Sequence, residues 1–147
     1  MLNLPPHLTM EDPLAHPARC EGYMLLFHRM DWDAQCPPEE AQRLIDDIHR
    51  WFDNLEQEGK LKGGHPLTEQ RIVIRREGSQ TVTDGPFAES KEAVGGFIVL
   101  DVASMDEAVA IARTMPVVRY GLKVEVREVA ESCPVYMRMR RHAVTPA

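Results

Sequence analysis

The spacing of hydrophobic positions changes several times along the chain, and each change predicts an element. After Gly22, the run Tyr23-Met24-Leu25-Leu26-Phe27 is continuously apolar and short, the pattern of a strand in the centre of a layered structure. At Pro37-Pro38-Glu39-Glu40 the period lengthens. Proline suits the first helical turn, and the macrodipole favours carboxylates there. Ala41, Leu44, Ile45, Ile48, Trp51, Phe52 and Leu55 then recur at i, i+3, i+4 and i+7, and Gly59 provides a left-handed stop, so the spacing predicts a helix over 39–58.

Gly63-Gly64 reads as a change of direction, with turn chemistry preferred over any phosphate-binding role. Strand-forming residues at 70–76 and 81–83, separated by Glu77-Gly78-Ser79, predict a hairpin over 70–83. Asp84-Gly85-Pro86 is a further turn, and Gly95 to Val102 resumes the buried-strand pattern. Ser104-Met105-Asp106-Glu107 is a capping box that opens a second helix, with Ala108, Ile111, Ala112 and Met115 as its stripe and Pro116 as its end. Leu122, Val124 and Val126 alternate with charged residues, as in a strand with one wet face. The basic stretch from Ser132, with Arg138, Arg140 and Arg141, reads as a frayed tail.

This order is a β-α-β-β-α-β plan with an elaborated hairpin, an α+β fold with one antiparallel sheet and two helices on one face. Two helices cannot cover both faces. The other face, lined by Tyr23, Leu25 or their strand neighbours, therefore predicts pairing with a second copy as a homodimer. The domain spans 22–130, preceded by an irregular arm over 1–21 that carries four of the eleven prolines and followed by the tail over 131–147.

Composition narrows the function classes. At 147 residues and 44% hydrophobic, the chain is expected to fold as one domain. A net charge of -6 opposes non-specific nucleic-acid binding, so no direct nucleic-acid partner is expected. The widely spaced Cys20, Cys36 and Cys133 suggest a reducing, cytoplasmic setting. No signal-peptide pattern or membrane-length apolar run is visible, and no membrane partner is expected. No cofactor motif is legible, and His28, His49, His65 and Asp84 lack the spacing of a metal site, so neither cofactor nor metal is expected.

The segment Thr83-Asp84-Gly85-Pro86-Phe87-Ala88-Glu89-Ser90-Lys91-Glu92-Ala93-Val94-Gly95-Gly96-Phe97 resembles the signature of the YCII-related family, in particular its DGPF subgroup. Tyr23-Met24-Leu25-Leu26, Glu58-Gly59, Asp106-Glu107-Ala108 and Val124-Glu125-Val126-Arg127 fall where that family would place them. The resemblance implies a ferredoxin-like domain pairing as a dimeric α/β barrel, with a regulatory protein as one class of partner. In simpler members the implied site pairs a histidine on the first helix with an aspartate just before the proline that ends the second. Here His49 stands about one position off that pattern, and Thr114-Met115 precede Pro116, so the dyad is incomplete.

The leading candidates for catalysis are His49, at the edge of the helical stripe, and Asp84, in the DGPF loop; Lys91, Glu92, His65 and His28 are candidates for ligand binding. Structural readings stand beside these: Asp84 capping a turn, and His49 as a half-exposed helical residue paired with Asp53. Two functions follow. One is a small-molecule pocket between helices and sheet with general acid/base activity; the other is a non-catalytic dimeric module that senses a metabolite or binds a regulatory protein. A convergent polar cluster would favour the first, and an apolar pocket without a titrating pair the second.

Overall fold

The computed structural model describes residues 20–86 and 93–144. Strand β1 (Cys20–His28) leads through a 3-10 turn at Trp32–Gln35 into helix α1 (Pro38–Gln57), followed by β2 (Leu61–Pro66). A hairpin of β3 (Val73–Glu77) and β4 (Gln80–Asp84) comes next, then β5 (Val94–Leu100) and α2 (Met105–Arg113). A second 3-10 turn at Val118–Tyr120, β6 (Lys123–Ala130) and α3 (Pro134–Val144) complete the order. The main sheet runs β2-β5-β1-β6 with every neighbouring pair antiparallel, the ferredoxin-like arrangement predicted from the pattern.

Alternation along β1 sorts the side chains. Tyr23, Leu25 and Phe27 are buried in one core with Leu44, Trp51 and Leu55 of α1, Ile98 and Leu100 of β5, and Ala108 and Ala112 of α2. Met24 and Leu26 point to the opposite face, level with Val99 and Phe97 on β5 and with Arg127 and Glu125 on β6. The face left open by the helices is thus lined by the strand neighbours of Tyr23 and Leu25, not by those two residues.

Local signals explain both main helices. α1 starts with proline in its first turn and two acidic residues beside it, and Gly59 (φ 70°) follows its end in the left-handed conformation. Ile45 departs from the predicted stripe and is 38% exposed. At α2, Ser104 Oγ accepts the Glu107 amide at 3.1 Å, while the Glu107 carboxylate accepts the amide of Ala103 at 3.3 Å, one residue earlier than in the reciprocal box. Two side-chain hydrogen bonds join α1 to the segment after α2. Trp51 Nε1 donates to Thr114 Oγ1 at 2.8 Å, with the Thr114 hydroxyl donating in turn to the Ile111 carbonyl at 2.6 Å. The Tyr120 hydroxyl donates to Glu40.

Three expectations are corrected. Gly63-Gly64 is not a turn but the middle of edge strand β2, paired with Val99 and Ile98, whereas Gly95-Gly96 lies within β5 as the strand pattern predicts. The hairpin falls where predicted but forms a separate two-stranded sheet, with Ile74 69% exposed. Its β-branched residues reveal strand propensity without revealing which edge they join. The tail from Ser132 is not frayed: Pro134 opens α3, and the Met137 amide bonds to the Cys133 carbonyl at 3.0 Å.

Replacing Thr114 with valine leaves the mostly buried Trp51 indole N–H without its acceptor. Thr114→Val should therefore cost about 1–3 kcal/mol in urea denaturation. A loss below ~0.5 kcal/mol, the scale of an ordinary surface change, would show that the bond does not hold the two helices together.

Candidate functional site

A cavity of about 450 Å³ lies between α1 and the β2–β5 half of the sheet. Ile48 and Phe52 form its helical wall, Phe27 and Ile98 belong to its floor, and Met115 and Val117 approach from the segment after α2. Glycine creates the room. At Gly64 (φ 155°) a Cβ would lie 2.3 Å from the Phe97 carbonyl oxygen and 2.8 Å from Ile98 Cγ2, so no side chain fits where β2 approaches β5. At Gly95 a Cβ would fall 2.0 Å from Met30 Cγ, which shows how closely Met30 packs over β5 beside the cavity.

The lining is almost wholly apolar. His65 is the one titratable residue of the lining among the described residues, but its side chain is exposed and directly paired with Phe97 on the open face of the sheet, the rings edge-on with centroids 6.2 Å apart, so the imidazole points away from the helix-covered cavity. His28 is buried at the end of β1 beside the open sheet face, where its Nε2 lies 3.1 Å from Glu125 Oε1. His49 is exposed on α1 and does not line the cavity; the structure gives it neither a hydrogen bond nor an ion pair to Asp53 or Asp84 among the described residues. Asp84 also lies outside the lining and accepts from Arg75 Nε at 3.1 Å, with Arg75 Nη1 donating to Glu77 at 3.0 Å. The structure therefore does not bring His49 and Asp84 together at the cavity. Lys91 and Glu92 lie outside the described residues.

The reason His49 misses the cavity is angular. On a helix with about 100° per residue, Ile48 and Phe52 share the cavity-facing row, and the next position turns toward solvent. Where the family pattern would place a His/Asp pair between the first helix and the residues before Pro116, this chain has the Trp51–Thr114 hydrogen bond. That bond orients an indole and supplies no proton acceptor for catalysis. Among the described residues no group of three or more His, Cys, Asp or Glu side chains is arranged to hold a metal ion.

A second, polar hollow of about 480 Å³ is lined by Arg29, Asp31, Gln35, Arg119, Tyr120 and Gly121. Sequence reading missed it because its walls come from two segments distant in the chain, residues 29–35 and 119–121, each including part of a 3-10 turn. The hydrogen bond to Glu40 holds the Tyr120 hydroxyl above the usual phenol pKa, with burial and the carboxylate's charge adding to it. Burial similarly raises the Cys36 thiol, helped by Glu40 and Glu39.

Fold and cavity together define an α+β domain with ferredoxin-like strand order and an apolar small-molecule-sized cavity between helix and sheet. The profile of the YCII-related domain matches residues 22–132, and the chain belongs to that family. A stretch of 80 residues is 36% identical to an uncharacterised protein of Rhizobium meliloti (strain 1021), covering 52% of this chain and 64% of that relative's length. Among solved structures, the chain is similar to 5-chloro-2-hydroxyhydroquinone dehydrochlorinase from Burkholderia phenoliruptrix AC1100 in complex with 2,5-dihydroxybenzoquinone. The identity is 19%, the match covers 71% of this chain and 90% of the other, and the TM-score is 0.35. No helix among the described residues is long and apolar enough to cross a membrane.

The Tyr120–Glu40 bond has a pH signature. A phenol whose folded pKa exceeds its ordinary value near 10 contributes stability that is complete below pH 10 and lost as pH rises through the folded value. Tyr120→Phe should therefore be less stable than wild type at neutral pH, with the gap closing above about pH 10. A gap that stays constant in urea denaturation from pH 7 to 11 would contradict the assignment.

Proposed function

We propose that this protein binds a small, largely apolar molecule in the cavity between α1 and the β2–β5 edge, as a metabolite-sensing module. The observation that carries the reading is the lining: apolar walls around about 450 Å³, with no pair of titratable side chains among the described residues that form it. Such walls favour a ring or short aliphatic body by desolvation. General acid/base activity is the second reading, tested below by turnover. His49 and Asp84, the pair expected from the sequence, lie off the cavity and are the controls for binding.

Thermal-shift screening against small neutral aromatic and aliphatic compounds tests the proposal. A binder at 100 times its Kd should stabilise the protein by about 2.7 kcal/mol. The shift should be lost in Ile48→Trp, which fills the cavity, and kept in His49→Ala and Asp84→Asn. An equal shift in Ile48→Trp would place the ligand elsewhere. Turnover of the bound compound would favour general acid/base activity; binding without turnover supports metabolite sensing.

The same proposal includes a homodimer of the DGPF type, paired through the open sheet face as an α/β barrel. Met24, Leu26, Phe97 and Val99 provide an apolar centre there, and Glu125 and Arg127 a charged margin, an arrangement suited to a self-complementary interface. Sedimentation should show a dimer at micromolar concentration and a monomer for Leu26→Glu. A wild-type monomer would remove the barrel.

A further inference from the structure

We propose that the polar hollow between the two 3-10 turns is an oxyanion-binding site, taking the carboxylate or phosphate group of a small molecule on Arg29 and Arg119. This site is separate from the apolar cavity and does not depend on what that cavity binds.

The argument begins with the two guanidinium groups. Arg29 and Arg119 both line the hollow, and neither forms an ion pair among the described residues, although the chain carries a net charge of -6. Other arginines are committed differently: Arg43 to Glu40, Arg50 to Asp47, Arg75 to Asp84 and Glu77, and Arg76 to the Gly78 carbonyl. Two cations gathered at a concavity and left without carboxylate partners provide the forked donors that oxyanions accept.

Both arginines are also positioned by their surroundings. Arg119 lies with its guanidinium carbon 5.0 Å from the centroid of the Tyr120 ring, and that ring is tethered through its hydroxyl to Glu40 on α1. Arg29 is the one non-glycine residue with positive φ among the described residues, at 56°. This conformation is unfavourable for a long side chain, and the next residue, Met30, packs closely against Gly95. The loop thus sends alternate residues to opposite sides, Met30 and Trp32 to the apolar cavity and Arg29 and Asp31 to the polar hollow. A backbone held in a costly conformation to present an unpaired arginine is the feature a binding site explains and a solvated loop does not. The Gln35 amide adds an uncharged donor, and Asp31 is the single opposing charge in the lining.

The test is an NMR titration of the full chain with inorganic phosphate and, separately, with acetate, against chloride at the same ionic strength. Saturable shifts should centre on the amides of residues 29–31 and 119–121 with at least one of the two oxyanions. Arg29→Asn removes the cation while retaining a residue tolerant of the left-handed backbone, and Arg119→Gln removes the other. Each should weaken binding about tenfold or more while the thermal midpoint of the free protein holds. Asp31→Asn should strengthen it by removing the repulsive charge. Shifts reproduced by chloride, the absence of saturation with both oxyanions, or undiminished affinity in either arginine variant would overturn the site.

Discussion

Strand β1 carries large apolar side chains on both faces, while the two helices that pack on the main sheet cover only one of them. Tyr23, Leu25 and Phe27 find partners in α1, α2 and β5. Met24 and Leu26 face outward beside Val99 and Phe97. Because successive strand residues alternate strictly, neither set can move to the other side without a register shift that exposes the existing core. Among the described residues, α1 and α2 therefore cover one face of the sheet and leave the other open.

On the covered side, the space between α1 and the sheet edge is kept open by backbone. Most of a ferredoxin-like interior is filled by side chains from both layers, yet Gly64 and Gly96 place bare backbone where β2 meets β5. A Cβ at Gly64 has nowhere to go, and a Cβ at Gly96 would sit 3.3 Å from the His65 carbonyl oxygen. The same glycines that permit close strand approach thus deprive the floor of volume. Residues 29–32 and 117–122 then wall off this apolar space from the arginine-lined hollow, contributing Met30, Trp32, Val117 and Leu122 to one and Arg29, Asp31, Arg119 and Tyr120 to the other. An apolar cavity and a polar hollow are thus separated by these two segments.

Among the described residues, the histidine/aspartate pairing that the resemblance implies has no counterpart at the cavity. Trp51 and Thr114 join the helix to the segment before Pro116 instead. Chemistry in a shared fold follows the side chains presented at the site, so membership of the YCII-related family establishes the scaffold more firmly than the reaction.

The sequence by itself determined the elements whose causes are local. Helix α1 has its proline start, its repeating apolar stripe and its glycine stop; α2 has its capping box; β1 and β5 have their short apolar runs. These signals lie within a turn or two of the residues they organise and survive a one-dimensional reading. Tertiary structure alone decided that Gly63-Gly64 lies in a strand, because glycine permits both a turn and a close strand approach, and the choice was made by pairing with Val99 and Ile98. It also decided that Ile48 and not His49 faces the cavity, since one residue along a helix rotates a side chain away from a wall set by another layer. Arg29 and Arg119 meet for the same reason: proximity between residues 90 positions apart is created by packing, and no local pattern encodes it.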